Sequence, residues 1–283
     1  MQIQNFKAFN PKVKVQINPS TKVEQEFRLT DLVLQYLKSN QPTIVQEYVQ
    51  ALKKRLIEDI EDFHINITFF DLNSVRKDLT VLGDFTELQD LLVQFTCKNL
   101  EISTENQVKS TETEILSINR VKAQGVLSYY RFKALVDILG MERAVPLWKE
   151  IVAFRIISNR EKRQTNVEKQ SIKENLERAV EIWSKIGMAD FTRAIFDENK
   201  YLFRFDSCFT HEVLKDFNDP DLAYLATCYI GDAEEYNKGR TVKLRRTQTL
   251  HHGDFCDELY WNSDVHKEVE QPSLEFTRKL GRP

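Results

Sequence analysis

The spacing of apolar residues changes near residue 199, and that change constrains the fold more than any other feature. Before it, apolar side chains recur every three or four residues. Ile44, Val45, Tyr48, Leu52, Leu56 and Ile60 form one such stripe, Leu88, Leu91, Leu92 and Phe95 a second, and Leu176, Val180, Ile182 and Trp183 a third. After it, residues 201–205, 241–250 and 255–261 follow a period near two. The chain has only 8 Gly and 7 Pro in 283 residues, too few breakers for a sandwich of many short strands. The expectation is an α+β fold: a helical N-terminal half and helical lead-in, long helices to about residue 198, then a small antiparallel β-sheet ending in a C-terminal hairpin.

Punctuation along the chain refines this. Residues 1–26 are polar, with a short alternating run at 12–17 that reads as an arm or edge strand. Helical patterns cover 27–37, a segment from Pro42 to about Asp62, and 85–95. Residues 65–70 suit a strand. The run 99–114 is rich in Ser, Thr, Glu and Gln and reads as a linker, which divides the chain into regions 1–115, 116–270 and a tail, 271–283. Helices are expected over 127–139, stopped by Gly140, then over 142–157 and 172–186. The charged stretch 158–171 reads as a solvated extension. Residues 211–217 suit a short helix, and Asp219-Pro220 a cap and first position of another.

Composition excludes several functions. The net charge is −3, with 40 basic and 43 acidic residues nearly balanced, so nothing points to a nucleic-acid partner. No stretch of about 18 apolar residues suggests a membrane span, and the first residues lack a secretory apolar core. The reading is a cytoplasmic protein whose four cysteines are reduced. Cys97 falls in an apolar helix and reads as core.

Chemistry-bearing residues concentrate between Arg204 and Trp261. This segment holds three of the four cysteines, three of the five histidines, and Asp206, Asp232, Asp254 and Asp257. In order, FRFDSCFTHEVLKDF, DPDLAYLATCYIGDAEEY and RRTQTLHHGDFCDELYW present Cys208 after a strand, Cys228 four residues before Asp232, and Gly253-Asp254-Phe255-Cys256-Asp257 in a hairpin. Together with the upstream YYRFKALVDILGMERAVPLWKEI, this pattern resembles the L-2-amino-thiazoline-4-carboxylic acid hydrolase family over about residues 121–265. One departure is local: the family usually follows Cys-Asp with an aromatic residue, where this chain has Glu258.

The resemblance implies a hydrolase that opens a small cyclic amidine-like ring, with a small-molecule substrate and no cofactor. Attack at an sp² carbon needs a nucleophile, a proton for the leaving atom and a partner for the substrate carboxylate. A thiolate attacks if a nearby cation lowers its pKa; otherwise a carboxylate or His activates water. Strand alternation puts Cys256, Glu258 and Tyr260 on one face and Phe255, Asp257, Leu259 and Trp261 on the other. The catalytic candidates are therefore Cys256, Asp232, Glu258, Cys228 and Cys208. Arg204, Arg246, His252 and Asp254 are the substrate-binding candidates, since Arg matches a carboxylate bidentately. His251 and His252 are expected at an exposed hairpin tip. The alternative is a non-catalytic small-molecule-binding module of the same fold. In that reading Cys208, His211, Cys228 and Cys256 supply soft donors for a structural zinc, although only the first pair has close ligand spacing.

Overall fold

The computed structural model describes residues 1–163 and 171–281. Its strands are β1 (Gln2–Lys7), β2 (Lys14–Ile17), β3 (Thr113–Leu116), β4 (Ala189–Asp197), β5 (Lys200–Cys208), β6 (Val242–Arg245) and β7 (Cys256–Asn262). The helices are α1 (Pro19–Asn40), α2 (Val45–Ile60), α3 (Asn73–Lys77), α4 (Thr86–Leu100), α5 (Glu105–Lys109), α6 (Ser117–Leu139), α7 (Met141–Arg163), α8 (Ile172–Lys185), α9 (Phe209–Leu214), α10 (Pro220–Ala223), α11 (Glu234–Asn237) and α12 (Leu274–Lys279). The fold is α+β, helices dominating the first part and the larger sheet being antiparallel throughout. The chain divides into two compact units, residues 14–151 and residues 1–13 with 152–283. Among the described residues, no helix is long and apolar enough to cross a membrane.

The unit of residues 14–151 is a helical bundle with a two-stranded β2–β3 ribbon. Asn18 caps α1 by accepting from the Thr21 amide, and Pro19 occupies its first turn, which starts the helix eight residues before the apolar pattern does. The helical stripes of α1, α2, α4 and α6 meet in a core where Phe27, Leu34, Leu52, Leu92, Phe95 and Phe132 are fully buried. Residues 65–70, expected as a strand, instead form a loop and one 3₁₀ turn at Ile67–Phe69. Asn66 caps that turn by accepting from the Thr68 amide, and this local bond outcompetes pairing with another strand. The polar run 99–114 lies inside this unit and holds α5, with a complete capping box between Thr104 and Gln107.

The other unit is built on a five-stranded sheet in the order β1-β4-β5-β7-β6. β4 lies in the region expected to be helical. Its central residues Phe191, Thr192, Arg193 and Ala194 are all buried, and with Thr192 and Arg193 buried beside the apolar residues no apolar–polar alternation marks the strand. The sheet also recruits β1, which pairs with β4 from Gln2↔Ile195 to Lys7↔Asp190.

One sheet face packs against α8. Ile172, Leu176 and Val180 meet Phe191, Tyr201, Phe203 and Phe205, and Trp183 lies edge-on to Phe191, Phe203 and Phe205 with centroids 5.4–5.7 Å apart. Ile182, expected inward, is on the outer side of α8 and 45% exposed. The opposite face buries Ala194, Leu202, Leu259 and Trp261 against Leu280 and Phe276 of the C-terminal segment. β6 ends at Arg245, earlier than the expected 241–250, and residues 246–255 form a loop leading into β7. Of the charged stretch 158–171, α7 covers residues to Arg163 and the remainder up to 170 lies outside the described residues.

Candidate active site

The site is built from β7, the end of β5, and the two irregular segments 208–241 and 246–255. Register sets the thiol face. Cys256 is opposite Phe205, Glu258 opposite Phe203 and Tyr260 opposite Tyr201. Cys256 and Tyr260 pack in the α8-side core with Cys208, whereas Leu259 and Trp261 pack in the other. The alternation read from the sequence therefore holds.

β5 ends at Cys208, whose sulfur caps α9 by accepting from the His211 amide at 3.4 Å. Beyond it, Asp219 accepts from the Leu222 amide and Pro220 opens α10. α10 then widens into a π-helical turn at Tyr224–Cys228. Such turns reposition side chains by inserting an extra residue into the helix, and this one presents Tyr224 and Cys228 to the same neighbourhood as Asp232.

The charged centre is Arg246. One nitrogen of its guanidinium, Nη1, donates to Asp232 Oδ2 at 3.0 Å and to the Cys228 carbonyl at 3.1 Å, and Nη2 donates to Glu258 Oε1. The Arg246 side chain is 9% exposed. Tyr224 donates to the same Asp232 Oδ2 at 2.9 Å, and Tyr260 donates to Glu258 Oε2 at 2.7 Å. Gly231 leaves room for this packing, because a Cβ there would come within 3.1 Å of Leu244 and 3.4 Å of Arg246. Burial opposes the Arg246 charge, but Glu258 and Asp232 hold it more firmly protonated than an ordinary guanidinium. Burial pushes Asp232 above the usual carboxylate range, against the pull of Arg246 and Tyr224. Its second oxygen, Oδ1, is buried with no hydrogen-bond partner among the described residues, as is Arg246 Nε.

All four cysteines are free. Burial pushes Cys208 up to about 12 and Cys97 up to about 12. Cys256 rises further, driven by burial and then by the neighbouring Cys208, while its sulfur accepts from the Leu250 amide at 3.0 Å. Cys228 is also raised by burial, but Arg246 pulls it the other way. The three thiols of the matched pattern are thus electrostatic neighbours, and Cys228 is the one with a guanidinium beside it. Among the described residues, no group of three or more His, Cys, Asp or Glu is arranged to hold a metal ion.

Two of the other candidates lie apart from the thiols. Arg204 is on the opposite sheet face, where it donates to the Arg278 and Leu280 carbonyls at 2.8 Å and pairs with Asp206. It fastens the C-terminal segment to the sheet. Asp254 is at the loop tip, paired with Arg278 at 3.3 Å. His252 is at the rim, 2.9 Å from Asp221 and edge-on to Tyr224 with centroids 5.3 Å apart.

The family model for L-2-amino-thiazoline-4-carboxylic acid hydrolase matches residues 119–260, a stretch that begins in α6 and ends in β7. The chain belongs to this family. No curated protein and no solved structure matches it. The family's function is that of a hydrolase, and the match covers Cys208, Cys228, Asp232, Arg246, Cys256 and Glu258.

Within this hydrolase family member, sequence reasoning placed Tyr260 on the Cys256 face without giving it a role, and missed Tyr224 and Asp257 as builders of the site. Asp257 is fully buried. It accepts from the Thr247 amide at 2.8 Å, the Gln248 amide at 2.6 Å and Gln271 at 2.8 Å, which fixes the loop that carries Arg246. The signal was available: an Asp on the apolar face of a strand needs donors, and Thr247, Gln248 and Gln271 supply them. His251, expected at an exposed tip, instead packs inward, its ring 5.4 Å from that of His211. His251 Nε2 and His211 Nδ1 are both buried without hydrogen-bond partners among the described residues.

Burial, helped by His211, His252 and Arg246, lowers His251 to about 4. The unfolded chain therefore takes up a proton near pH 6.5 that the folded chain refuses until about pH 4. Stability is full above the unfolded value and is lost as pH falls through that window. After allowance for its partial exposure, the loss at pH 5 is about 1–2 kcal/mol relative to pH 7. Urea midpoints at the two pH values measure it. His251→Asn is expected to shrink the difference, and an unchanged difference in that variant would assign the acid sensitivity elsewhere.

Proposed function

We propose that this chain hydrolyses a small cyclic amidine-like substrate of the 2-amino-thiazoline-carboxylate type, with Asp232 as the base that activates water. The observation that carries this is the division of labour within one carboxylate. Oδ2 is held by Arg246 and Tyr224, while Oδ1 is buried and unpartnered among the described residues, and Asp232 lines an open cavity of about 450 Å³. A fixed carboxylate whose pKa is raised by burial is a stronger proton acceptor than an ordinary one.

In this reading water adds to the sp² carbon, its proton passes to the Asp232 carboxylate, and the ring bond then breaks with proton return to the departing atom. Arg246, Asp232 and Glu258 together carry one uncompensated negative charge when ionised, which complements a protonated amidine. Cys208, Cys228 and Cys256 are neutral thiols in this reading, held protonated by burial. A covalent route would run through Cys228, beside the guanidinium, rather than through Cys256, whose thiolate is disfavoured by its other two neighbours. Glu258 anchors Arg246 and Tyr260.

The test is turnover of 2-amino-thiazoline-4-carboxylate by the full chain, followed as appearance of the ring-opened product. Ring opening above the uncatalysed rate supports the reading. Tight binding with no turnover would identify a binding module of the same fold instead.

A further inference from the structure

The cavity that Asp232 opens onto has more room and more positive charge than one ring with one carboxylate requires. At about 450 Å³ it falls in the range of pockets that hold drug-sized ligands, about 300–1,000 Å³. It lies at the sheet edge formed by β6, and its cationic wall is Lys243, Arg245 and Lys267, with Trp261 beneath.

The charges on that wall are uncompensated. Arg246 is neutralised by Asp232 and Glu258, and Lys238 is 3.6 Å from Glu234. Lys243, Arg245 and Lys267, by contrast, form no ion pair among the described residues. Lys243 donates to the Asn237 carbonyl at 2.6 Å, and Arg245 donates to the Val269 carbonyl at 2.8 Å while lying 5.2 Å from the Trp261 ring centre. These contacts aim two of the cations without cancelling their charge. Lys267 is an exposed part of the same lining. Three cations gathered on one wall of a concavity repel each other, and an anion relieves that repulsion.

We infer that the cavity binds a ligand with at least two negative charges beside Lys243, Arg245 and Lys267, so that this chain's substrate is a cyclic amidine extended by a polyanionic group, a multiple carboxylate or a phosphate. This rests on the reading of Asp232 as the site's base. The base end of the cavity takes the ring, and the Lys243–Arg245–Lys267 wall takes the extension. Trp261 lines the same cavity beside Arg245.

The test is isothermal titration calorimetry of the full chain with citrate, inorganic pyrophosphate and acetate as probes. Citrate, pyrophosphate or both are expected to bind at least about tenfold more tightly than acetate, with affinity falling as salt is raised. Citrate alone would identify the extension as carboxylate, and pyrophosphate alone as phosphate. Lys243→Gln and Lys267→Gln are each expected to weaken the preferred probe by about two- to fivefold, the range for one partly exposed charge pair. Polyanions that bind no better than acetate, or binding that both variants leave unchanged, overturn the inference. The salt dependence of the parent chain tests it without any variant. Calorimetry needs no turnover: a chain that binds pyrophosphate but opens no ring keeps this inference and loses the hydrolase reading, and the converse result does the reverse.

Discussion

Asp232→Asn is expected to lower turnover on the amidine substrate by ~10²–10⁴-fold, the usual loss when a general base is removed. The substitution keeps the shape of the side chain and a hydrogen-bonding atom for Tyr224 and Arg246, so the loss should fall on kcat more than on folding. Cys256→Ser separates the two chemical routes. With water activated by Asp232, the serine variant should stay within about tenfold of the parent, because the thiol takes no part in the chemistry. Cys97→Ser, in the core of the helical unit, serves as the comparison for any general effect of removing a buried thiol. A loss of 10²-fold or more in a folded Cys256→Ser variant would return Cys256 to the role of nucleophile. Cys228→Ser then reports on Arg246, since the guanidinium favours that thiolate alone among the three.

Arg246→Met should destabilise the fold by about 3–5 kcal/mol, the cost of leaving partners of a buried ion pair uncompensated. Asp232 and Glu258 have side chains only 18% and 14% exposed, so neither carboxylate can recover its hydration. Urea unfolding at pH 7 measures the loss. Adding Asp232→Asn and Glu258→Gln to Arg246→Met should restore part of it, because the stranded charges are then gone. A single variant that loses less than about 1 kcal/mol would show that water reaches the cluster, and the positioning role given to Arg246 would fail with it.

Much of the site was legible because its residues lie on regular elements. Cys256, Glu258 and Tyr260 share a face through strand alternation, and Asp219-Pro220 marks a helix start by local capping chemistry. Both follow from neighbours within a few residues. The partnership of Arg246 with Asp232 and Glu258 depends on where a ten-residue irregular loop places a side chain, and no periodicity encodes that. The same holds for His251, whose inward packing follows from the turn at 251–254 rather than from composition. In the fold, the helices were readable from their stripes, while β4 was hidden because Thr192 and Arg193, buried beside its apolar residues, leave no alternation to read. β1 was hidden for a different reason. Its partner β4 lies nearly two hundred positions along the chain, and its own residues are largely polar.

The pairing of Gln2–Lys7 with Asp190–Ile195 has a consequence for the order of events at the ribosome. The strand that borders β4 is made first and its partner only about 180 residues later. At about 5–20 residues per second, β1 waits on the order of ten to forty seconds before its ladder can form, while the whole of residues 14–151 emerges and is free to collapse on its own contacts. During that interval β1 is an unpaired strand, open to pairing with a neighbouring nascent chain. Gln2, Gln4 and Lys7 give it little apolar surface to attract one, and the sheet that carries the thiols is completed last.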